Sequence, residues 1–319
     1  MKLYKEKLIK LKGDASFRTF YRKIKKKKTS IIVYAKKEKE KNLLIYDAIN
    51  SLLIKNKILA PKLYNENYKK NFIEIEDFGD DTVFNLLNNN NNIMLYKRSI
   101  DLLKKNQKIK KNKTKNFKGI IYKIPIYDNK KLSQEANLFF NWYVKKFLPK
   151  NKISKFNILI KKEIKFLLSK IKLRNDTFVH RDFHVSNLIK YKNQIGVIDT
   201  QDALIGNKTY DLASLIDDVR IKSSEKFKHS MFNYYLRFNK KNINKKLFLN
   251  DFEIMSVLRN LKIIGIFTRL ALRDKKKKYL KLIPYAWKLI ELRMNNNEIF
   301  KKLKNILDLN FSKKIRNFK

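Results

Sequence analysis

Apolar and polar residues alternate in short stretches of the first 76 residues, a pattern that predicts β-strands. Two such stretches, 20–24 and 31–34, are separated by a run of lysines and predict a hairpin. Further strands are predicted at 61–64 and 71–75. The same region is predicted to contain two helices, at 1–12 and 38–55.

Most of the remaining chain has apolar residues at helical spacing. Helices are predicted at 82–87, 93–108, 132–148, 155–172, 210–221, 225–239, 250–273 and 278–307. Two polar stretches, 88–92 and 108–118, are predicted to be loops, and neither is long enough to link separate domains. The pattern therefore predicts a small strand-rich part followed by a larger helical part.

One segment carries the residues with the clearest chemistry. It begins His180-Arg181-Asp182, reaches Asn187 five positions after Asp182, and ends at Asp199. Phosphoryl transfer uses a carboxylate that accepts or orients the proton of the attacking hydroxyl. It also uses a second carboxylate and an amide oxygen that hold the magnesium ion on the nucleotide phosphates. The H-R-D-x-x-x-x-N spacing is that of a kinase catalytic loop, although Asp199-Thr200-Gln201 stands in place of D-F-G.

The residues after Asn187 predict a hairpin whose strands are 187–189 and 195–198. Because a hairpin returns the chain to its start, Asp199 is predicted to lie beside Asn187, with Asp182 close by. Capping residues around a buried strand would explain any one of these side chains, but the three together favour catalysis. Asp182 is therefore the candidate catalytic residue, and Asn187 and Asp199 are the candidate metal ligands.

The sequence resembles the aminoglycoside phosphotransferase and choline kinase superfamily in its H-x-D-x-x-x-x-N, I-D-x-x-D-A and D-L-A motifs. These motifs begin at His180, Ile198 and Asp211. The fuller string around them is more similar still to one branch, the bacterial anomeric kinases of N-acetylmuramate and N-acetylglucosamine. A further similarity, L-K-x-x-G-I-F-x-R-L, begins at Leu261, so the resemblance spans nearly the whole chain.

The resemblance implies an α+β, protein-kinase-like bilobal fold. It places a β-rich N-lobe on the nucleotide-phosphate side at 1–76, a hinge at 77–81, and a helical C-lobe with the catalytic loop and substrate site at 82–319. It also implies ATP and Mg²⁺ as cofactors and a small amino sugar as the substrate.

Two N-terminal motifs add candidate nucleotide contacts through the resemblance. The string G-D-A-S-F-R, which recurs in the anomeric sugar kinases, makes Ser16 and Arg18 candidates for phosphate contact, with a plain hairpin entry as the alternative. The string E-D-F-G stands where a kinase hinge meets adenine and makes Glu76 and Phe78 candidates. The lysine that kinases place on the third strand would fall near Tyr34, so the phosphate-pairing lysine is not identified.

The resemblance also implies a substrate side built from P-x-Y-D and from an E-L-x-L-F-x-x-W-like element. The aromatic stripe in the second element is also typical of a helix core. The candidate substrate contacts are Tyr127, Asp128, Glu135, Trp142, His184, Gln201 and Asp202.

The net charge of +47 taken alone predicts a nucleic-acid or anionic-membrane partner. The lysines, however, are spread along the whole chain and accompany abundant Asn and Ile, which indicates A/T-rich codon usage instead. We expect no dedicated nucleic-acid partner and no membrane partner. The absence of cysteine and a charged start unlike a signal peptide predict a cytoplasmic protein, and the oligomeric state stays open.

The motif chemistry predicts a kinase that phosphorylates a hydroxyl of a small molecule. The resemblance implies that this is the anomeric hydroxyl of N-acetylmuramate or N-acetylglucosamine, in cell-wall sugar recycling. Two alternatives stay open. One is a related phosphotransferase that acts on an aminoglycoside, choline or homoserine. The other is a non-catalytic basic binding protein.

Overall fold

The computed structural model describes residues 7–11, 18–26, 28–35, 42–87, 93–237, 244–295 and 297–317. The chain forms two compact units, each built from two segments. The first comprises Met1–Pro125 with His180–Leu204, and the second comprises Ile126–Val179 with Ile205–Lys319. The lobe boundary expected at 77–81 remains a prediction.

The first unit is organised around a five-stranded antiparallel sheet of order β1-β2-β3-β5-β4. Its strands are β1 (Lys7–Lys10), β2 (Thr19–Lys25), β3 (Lys28–Tyr34), β4 (Leu63–Asn67) and β5 (Phe72–Glu76). Val33 of β3 lies opposite Phe20 of β2 and Ile73 of β5. The inward residues pack with Leu43 and Tyr46 of helix α1 (Asn42–Lys55) in one apolar cluster. The predicted strands and the described part of the predicted helix are confirmed.

The same unit contains two further helices and two hairpins. The elements are α2 (Val83–Leu87), α3 (Ile93–Gln107), β6 (Lys113–Lys115) with β7 (Ile121–Lys123), and β9 (Leu188–Tyr191) with β10 (Gln194–Val197). The β9–β10 hairpin is the one predicted from the sequence.

The second unit is mainly helical. Its helices are α4 (Asn129–Ala136), α5 (Lys145–Phe147), α6 (Lys150–Ser169), α7 (Thr209–Ile216), α8 (Glu225–Arg237), α9 (Lys245–Leu272), α10 (Ile283–Asn295), α11 (Lys301–Asn310) and α12 (Lys313–Arg316). Strand β8 (Asn175–Val179) pairs with β11 (Leu204–Asn207). No helix in the described part of the chain is both long enough and apolar enough to cross a membrane.

Two predictions near the strands are wrong. Residues 7–10, predicted as helix, form β1, where Lys7 pairs with Ile24 of β2. All four β1 side chains are exposed, so main-chain pairing decides the structure and leaves no apolar pattern to read. Residues 113–115, predicted as loop, form β6. There the Thr114 hydroxyl donates to the Ala48 carbonyl over 3.0 Å while the flanking lysines face water.

Two predicted helices are interrupted. The helix expected at 132–148 begins earlier, because the Asp128 side chain accepts a hydrogen bond from the Lys131 amide, and it passes through a π-helical turn at Phe139–Val144. The helix expected at 278–307 is divided into α10 and α11. Asn297 caps a new turn by accepting from the Ile299 amide, which is the local competition expected of asparagine.

Candidate functional site

The candidate catalytic segment begins at His180 in the first unit. His180 is fully buried, and its Nε2 lies 3.1 Å from the Ile198 carbonyl oxygen. A carbonyl only accepts, so Nε2 carries the proton. Burial lowers the pKa of His180, and the ring is therefore neutral. His180 thus ties the start of the catalytic segment to the residue before Asp199.

Asp182 and Asn187 are joined by a short turn. The Asn187 side-chain nitrogen Nδ2 donates to the Asp182 main-chain oxygen over 3.1 Å, and so does the His184 amide over 3.0 Å. The Ile198 amide donates to the Asn187 carbonyl over 3.0 Å. The predicted return of Asp199 to the neighbourhood of Asn187 is confirmed. Because Nδ2 is engaged, Oδ1 of Asn187 is the atom left for a cation.

The backbone is strained at this site. Arg181 and Asp199 have φ angles of 76° and 61°, in the left-handed region that non-glycine residues rarely occupy. Such residues cluster where a side chain must be held in a defined direction. The strain indicates that the surrounding contacts fix the direction of the Asp199 carboxylate.

Arg18 supplies one of those contacts. Its Nη2 lies 2.8 Å from Asp199 Oδ1, and its Nη1 donates to Gln201 Oε1 over 2.6 Å. Gln201 in turn donates to Asp202 over 2.8 Å, and Arg181 lies 3.5 Å from Asp202. The candidate residues Arg18, Asp199, Gln201 and Asp202 are thus brought together in one network.

The electrostatics of Asp199 reflect this arrangement. Withdrawal from water raises the pKa of Asp199, the Arg18 cation opposes the rise, and the negative charges of Asp182 and Asp202 add to it. A raised carboxylate pKa means that the ionised form is disfavoured at this position, chiefly because it is withdrawn from water. A bound cation would stabilise the ionised form.

The donor set fits magnesium. Among the described residues no group of three or more His, Cys, Asp and Glu side chains is placed to hold a metal ion. Asp199 and the Asn187 amide both carry hard oxygen atoms, the donors that magnesium prefers. Magnesium is commonly held by one or two carboxylates together with substrate phosphates. The set therefore suits a magnesium ion that arrives with a nucleotide.

Three candidate nucleotide contacts remain: Ser16, Glu76 and Phe78. Ser16 lies outside the described residues. The Glu76 amide donates to the Lys62 carbonyl over 2.8 Å. The buried Phe78 ring packs 4.8 Å from the Tyr191 ring. Next to them Arg22 binds both Asp77 and Asp80, at 2.6 and 2.7 Å, which fixes this segment to β2.

Four substrate candidates lie in the second unit. Tyr127 is 1% exposed and donates its hydroxyl to Glu135. Asp128 caps α4, as described above, and Trp142 is half-buried in the π-helical turn. Buried His184 completes the list in the first unit, with its Nε2 3.5 Å from Asn187 Nδ2. The roles of all these residues remain predictions.

Sequence reasoning missed two partners of the candidate residues. Lys262 of α9 lies 2.7 Å from Glu135. The signal for it was a lysine at a buried position within an apolar helix. Asn50 of α1 accepts from the Thr200 hydroxyl over 2.6 Å, across 150 positions of sequence. No local pattern pointed to that contact.

Comparison with known proteins identifies the family. The model of the phosphotransferase enzyme family matches residues 7–243. The chain therefore belongs to this family of phosphotransferases, as predicted.

Two curated relatives are both named N-acetylmuramate/N-acetylglucosamine kinase. The protein from Pseudomonas aeruginosa is 28% identical over 289 residues, covering 89% of this chain and 82% of the relative. The protein from Neisseria meningitidis serogroup B is 29% identical over 280 residues, covering 85% and 81%.

Solved structures confirm the predicted protein-kinase-like fold. A Plasmodium vivax ethanolamine kinase matches with a TM-score of 0.61 at 13% identity, covering 93% of this chain and 84% of its own. An amicoumacin kinase solved with AMP-PNP and Ca²⁺ matches with a TM-score of 0.57 at 13% identity, covering 89% and 88%.

Proposed function

We propose that this protein is an ATP-dependent kinase that phosphorylates the anomeric hydroxyl of N-acetylmuramate or N-acetylglucosamine. The observation that carries the proposal is the joining of Asp182, Asn187 and Asp199 by the β9–β10 hairpin and its flanking hydrogen bonds. The names of the relatives support the choice of acceptor. Such a reaction would serve the recycling of cell-wall sugars.

Each of these residues has its own role in the proposed reaction. The sugar hydroxyl oxygen bonds to the γ-phosphorus of ATP as the bond to the β–γ bridging oxygen breaks, which releases ADP. Asp182 orients the hydroxyl and accepts its proton. Asn187 Oδ1 and Asp199 would hold Mg²⁺, which neutralises phosphate charge when bound. Arg18 keeps a fixed positive charge beside Asp199, since arginine does not lose its proton in proteins.

The reaction consumes ATP, and we infer a cytoplasmic location because ATP is made and held there. The amino sugar is the partner that this proposal requires.

The experiment is coupled ATP turnover on N-acetylmuramate, N-acetylglucosamine, kanamycin and choline, with each acetylated sugar also tested as its 1-O-methyl glycoside. We expect turnover on the free acetylated sugars and none on the methyl glycosides. Turnover on kanamycin or choline alone would contradict the assignment. A lack of turnover on all four compounds would also contradict the assignment.

A further inference from the structure

Arg22 of β2 binds two carboxylates with one guanidinium. Its Nε and Nη2 donate to Asp77 over 2.6 and 3.1 Å, and its Nη1 and Nη2 donate to Asp80 over 2.7 and 3.0 Å. Both pairs are bidentate, the geometry in which arginine fixes the direction of a carboxylate. All three residues belong to the first unit. Arg22 therefore attaches the start of the 77–82 segment to the middle of a strand.

The two carboxylates contribute unequally to this attachment. The Asp77 side chain is 3% exposed, whereas that of Asp80 is 75% exposed. An exposed ion pair is screened by water and salt far more than a partly buried one. Asp77 also accepts from the Gly79 amide over 2.9 Å, and the φ angle of 82° at Gly79 suits glycine. The pair of Arg22 with Asp77 is therefore the principal attachment.

The other side of the 77–82 segment is bonded to the β9–β10 hairpin. The Lys190 amide donates to the Asp81 carbonyl over 2.8 Å, and Thr82 forms an antiparallel bridge with Ile189. Both contacts are made to β9, which begins directly after Asn187. The segment thus lies beside the strand that follows a candidate metal ligand.

Strand β2 also reaches the candidate metal site, through the residue before its first position. Arg18 binds Asp199 and Gln201, as described above, and lies over the Phe20 ring. Four residues of extended chain separate Arg18 from Arg22, which is about 13 Å on the same face of a strand. Two arginines on one strand therefore attach it to both ends of a connected set of residues, from the 77–82 segment to Asp199.

We propose that Arg22 is a positioning residue for nucleotide binding. It keeps the candidate nucleotide contacts Glu76 and Phe78, which flank Asp77 in the sequence, at a fixed separation from the candidate metal ligands. A nucleotide then meets both parts of its site in one arrangement. The proposal rests on the proposed function for its nucleotide but does not depend on which sugar is the acceptor.

The first measurement is calorimetric titration of Arg22→Met with ADP and Mg²⁺, which requires no acceptor. We expect the Kd to rise about ten-fold, within the hundredfold that a displacement of about 1 Å can cost. Arg22→Lys keeps the charge but cannot bind both carboxylates through a fork, so it should lose less affinity. If thermal melting shows that Arg22→Met is unfolded, the double variant with Asp77→Asn replaces it, because no buried carboxylate is then left unpaired.

Steady-state kinetics separate positioning from a general loss of folded protein. In Arg22→Met we expect KM for ATP to rise by the same factor as the Kd, while kcat and the KM for the sugar change less than about twofold. Loss of folded protein would instead lower kcat and leave both KM values unchanged. That result, or an unchanged Kd for ADP, would overturn the assignment of Arg22.

Lys23 provides the matched control on the same strand. Its side chain is 20% exposed, against 17% for Arg22, and it pairs with Glu74 of β5 instead of the 77–82 segment. Lys23→Met should leave the Kd for ADP within about twofold of the wild type. A loss equal to that of Arg22→Met would contradict the proposal.

The two carboxylates give a second comparison. Asp77→Asn should approach the loss seen in Arg22→Met, whereas Asp80→Asn should have a small effect because its pair is exposed. The reverse order would contradict the principal attachment through Asp77. A wild type that binds ADP but uses neither sugar would defeat the proposed acceptor, and the ADP titrations would still decide the role of Arg22. A wild type that binds no ADP would defeat both proposals.

Discussion

At the scale of single residues, Arg18 shows how positive charge reaches the candidate metal site without an identified strand lysine. Its guanidinium binds Asp199 and Gln201 and lies over the rings of Phe20 and Tyr46, at 5.6 and 5.8 Å. Burial raises the pKa of Tyr46 to about 12, so this ring stays neutral beneath the cation. The packing fixes the guanidinium in one position.

We therefore expect Arg18→Met to lower kcat/KM for ATP by about ten- to hundred-fold, because two hydrogen bonds from a charged donor are lost. Arg18→Lys should recover part of the loss, since a lysine supplies the charge but cannot bridge both partners. Steady-state kinetics with ATP varied would measure both. Unchanged kinetics in Arg18→Met would show that the ion pair has no part in nucleotide use.

At the scale of elements, helix α1 anchors the turn that presents Asp199. The Thr200 hydroxyl donates to Asn50 Oδ1, and Asn50 Nδ2 donates to the Pro61 carbonyl over 3.1 Å. Both side chains of the first bond are buried. The hairpin and the positions of Asp182, Asn187 and Asp199 were predictable from local pattern and spacing. The hydrogen bond between Thr200 and Asn50 was not predictable, because the two residues are far apart in sequence.

Replacement of Thr200 by Val keeps the shape and leaves Asn50 Oδ1 unsatisfied in the interior. We expect the free energy of unfolding to fall by about 1–3 kcal/mol and magnesium-dependent nucleotide binding to weaken. Thr200→Ser keeps the hydroxyl and should resemble the wild type. Denaturant unfolding and calorimetric ATP titration with and without Mg²⁺ would measure these effects. If Thr200→Val were as stable as Thr200→Ser, the hydrogen bond between Thr200 and Asn50 would not stabilise this turn.

A second element-scale feature joins four helices through Asp217 at the end of α7. Its carboxylate contacts Lys228 of α8, Ser256 of α9 and Arg293 of α10. Burial alone would raise the pKa of Asp217, but Arg293 and Lys228 outweigh it and hold the pKa well below the usual range.

Asp217→Asn should therefore lower stability near neutral pH by about 3–5 kcal/mol, because Arg293 and Lys228 lose their buried anion. A carboxyl whose pKa is depressed by folding stabilises the protein above its unfolded pKa and loses that contribution as pH falls toward the folded value. The stability gap between wild type and variant should thus be constant from pH 5 to 8 and narrow below about pH 4. Thermal melting at a series of pH values would measure the stability gap. A gap that widens in acid would contradict a stabilising role for the ion pairs of Asp217.

At the scale of the whole molecule, the α+β character and most elements followed from the apolar pattern. The failures share a cause. Strand β1 has no buried face, β6 has three residues, and the break between α10 and α11 depends on one capping side chain. Short or exposed elements are decided by main-chain partners, which a hydrophobic pattern does not record. The particular substrate also lay beyond the pattern and came from resemblance.

The net charge of +47 also acts at this scale. A strongly positive field raises the encounter rate with anions and is screened by salt. We expect kcat/KM for anionic N-acetylmuramate to fall more steeply between 20 and 300 mM KCl than kcat/KM for neutral N-acetylglucosamine, with ATP saturating. Parallel salt profiles would show that the charge has no part in substrate capture.

The central claim is that Asp182, Asn187 and Asp199 form a phosphotransferase site for an anomeric hydroxyl. The most direct test incubates wild type and Asp182→Asn with ATP, Mg²⁺ and N-acetylglucosamine and follows the product by ³¹P NMR. The account predicts a sugar phosphate whose phosphorus couples to the anomeric proton. It also predicts a rate about 10²- to 10⁴-fold lower in the variant, with ATP binding retained. Phosphate at another hydroxyl, or a variant as fast as the wild type, would contradict it.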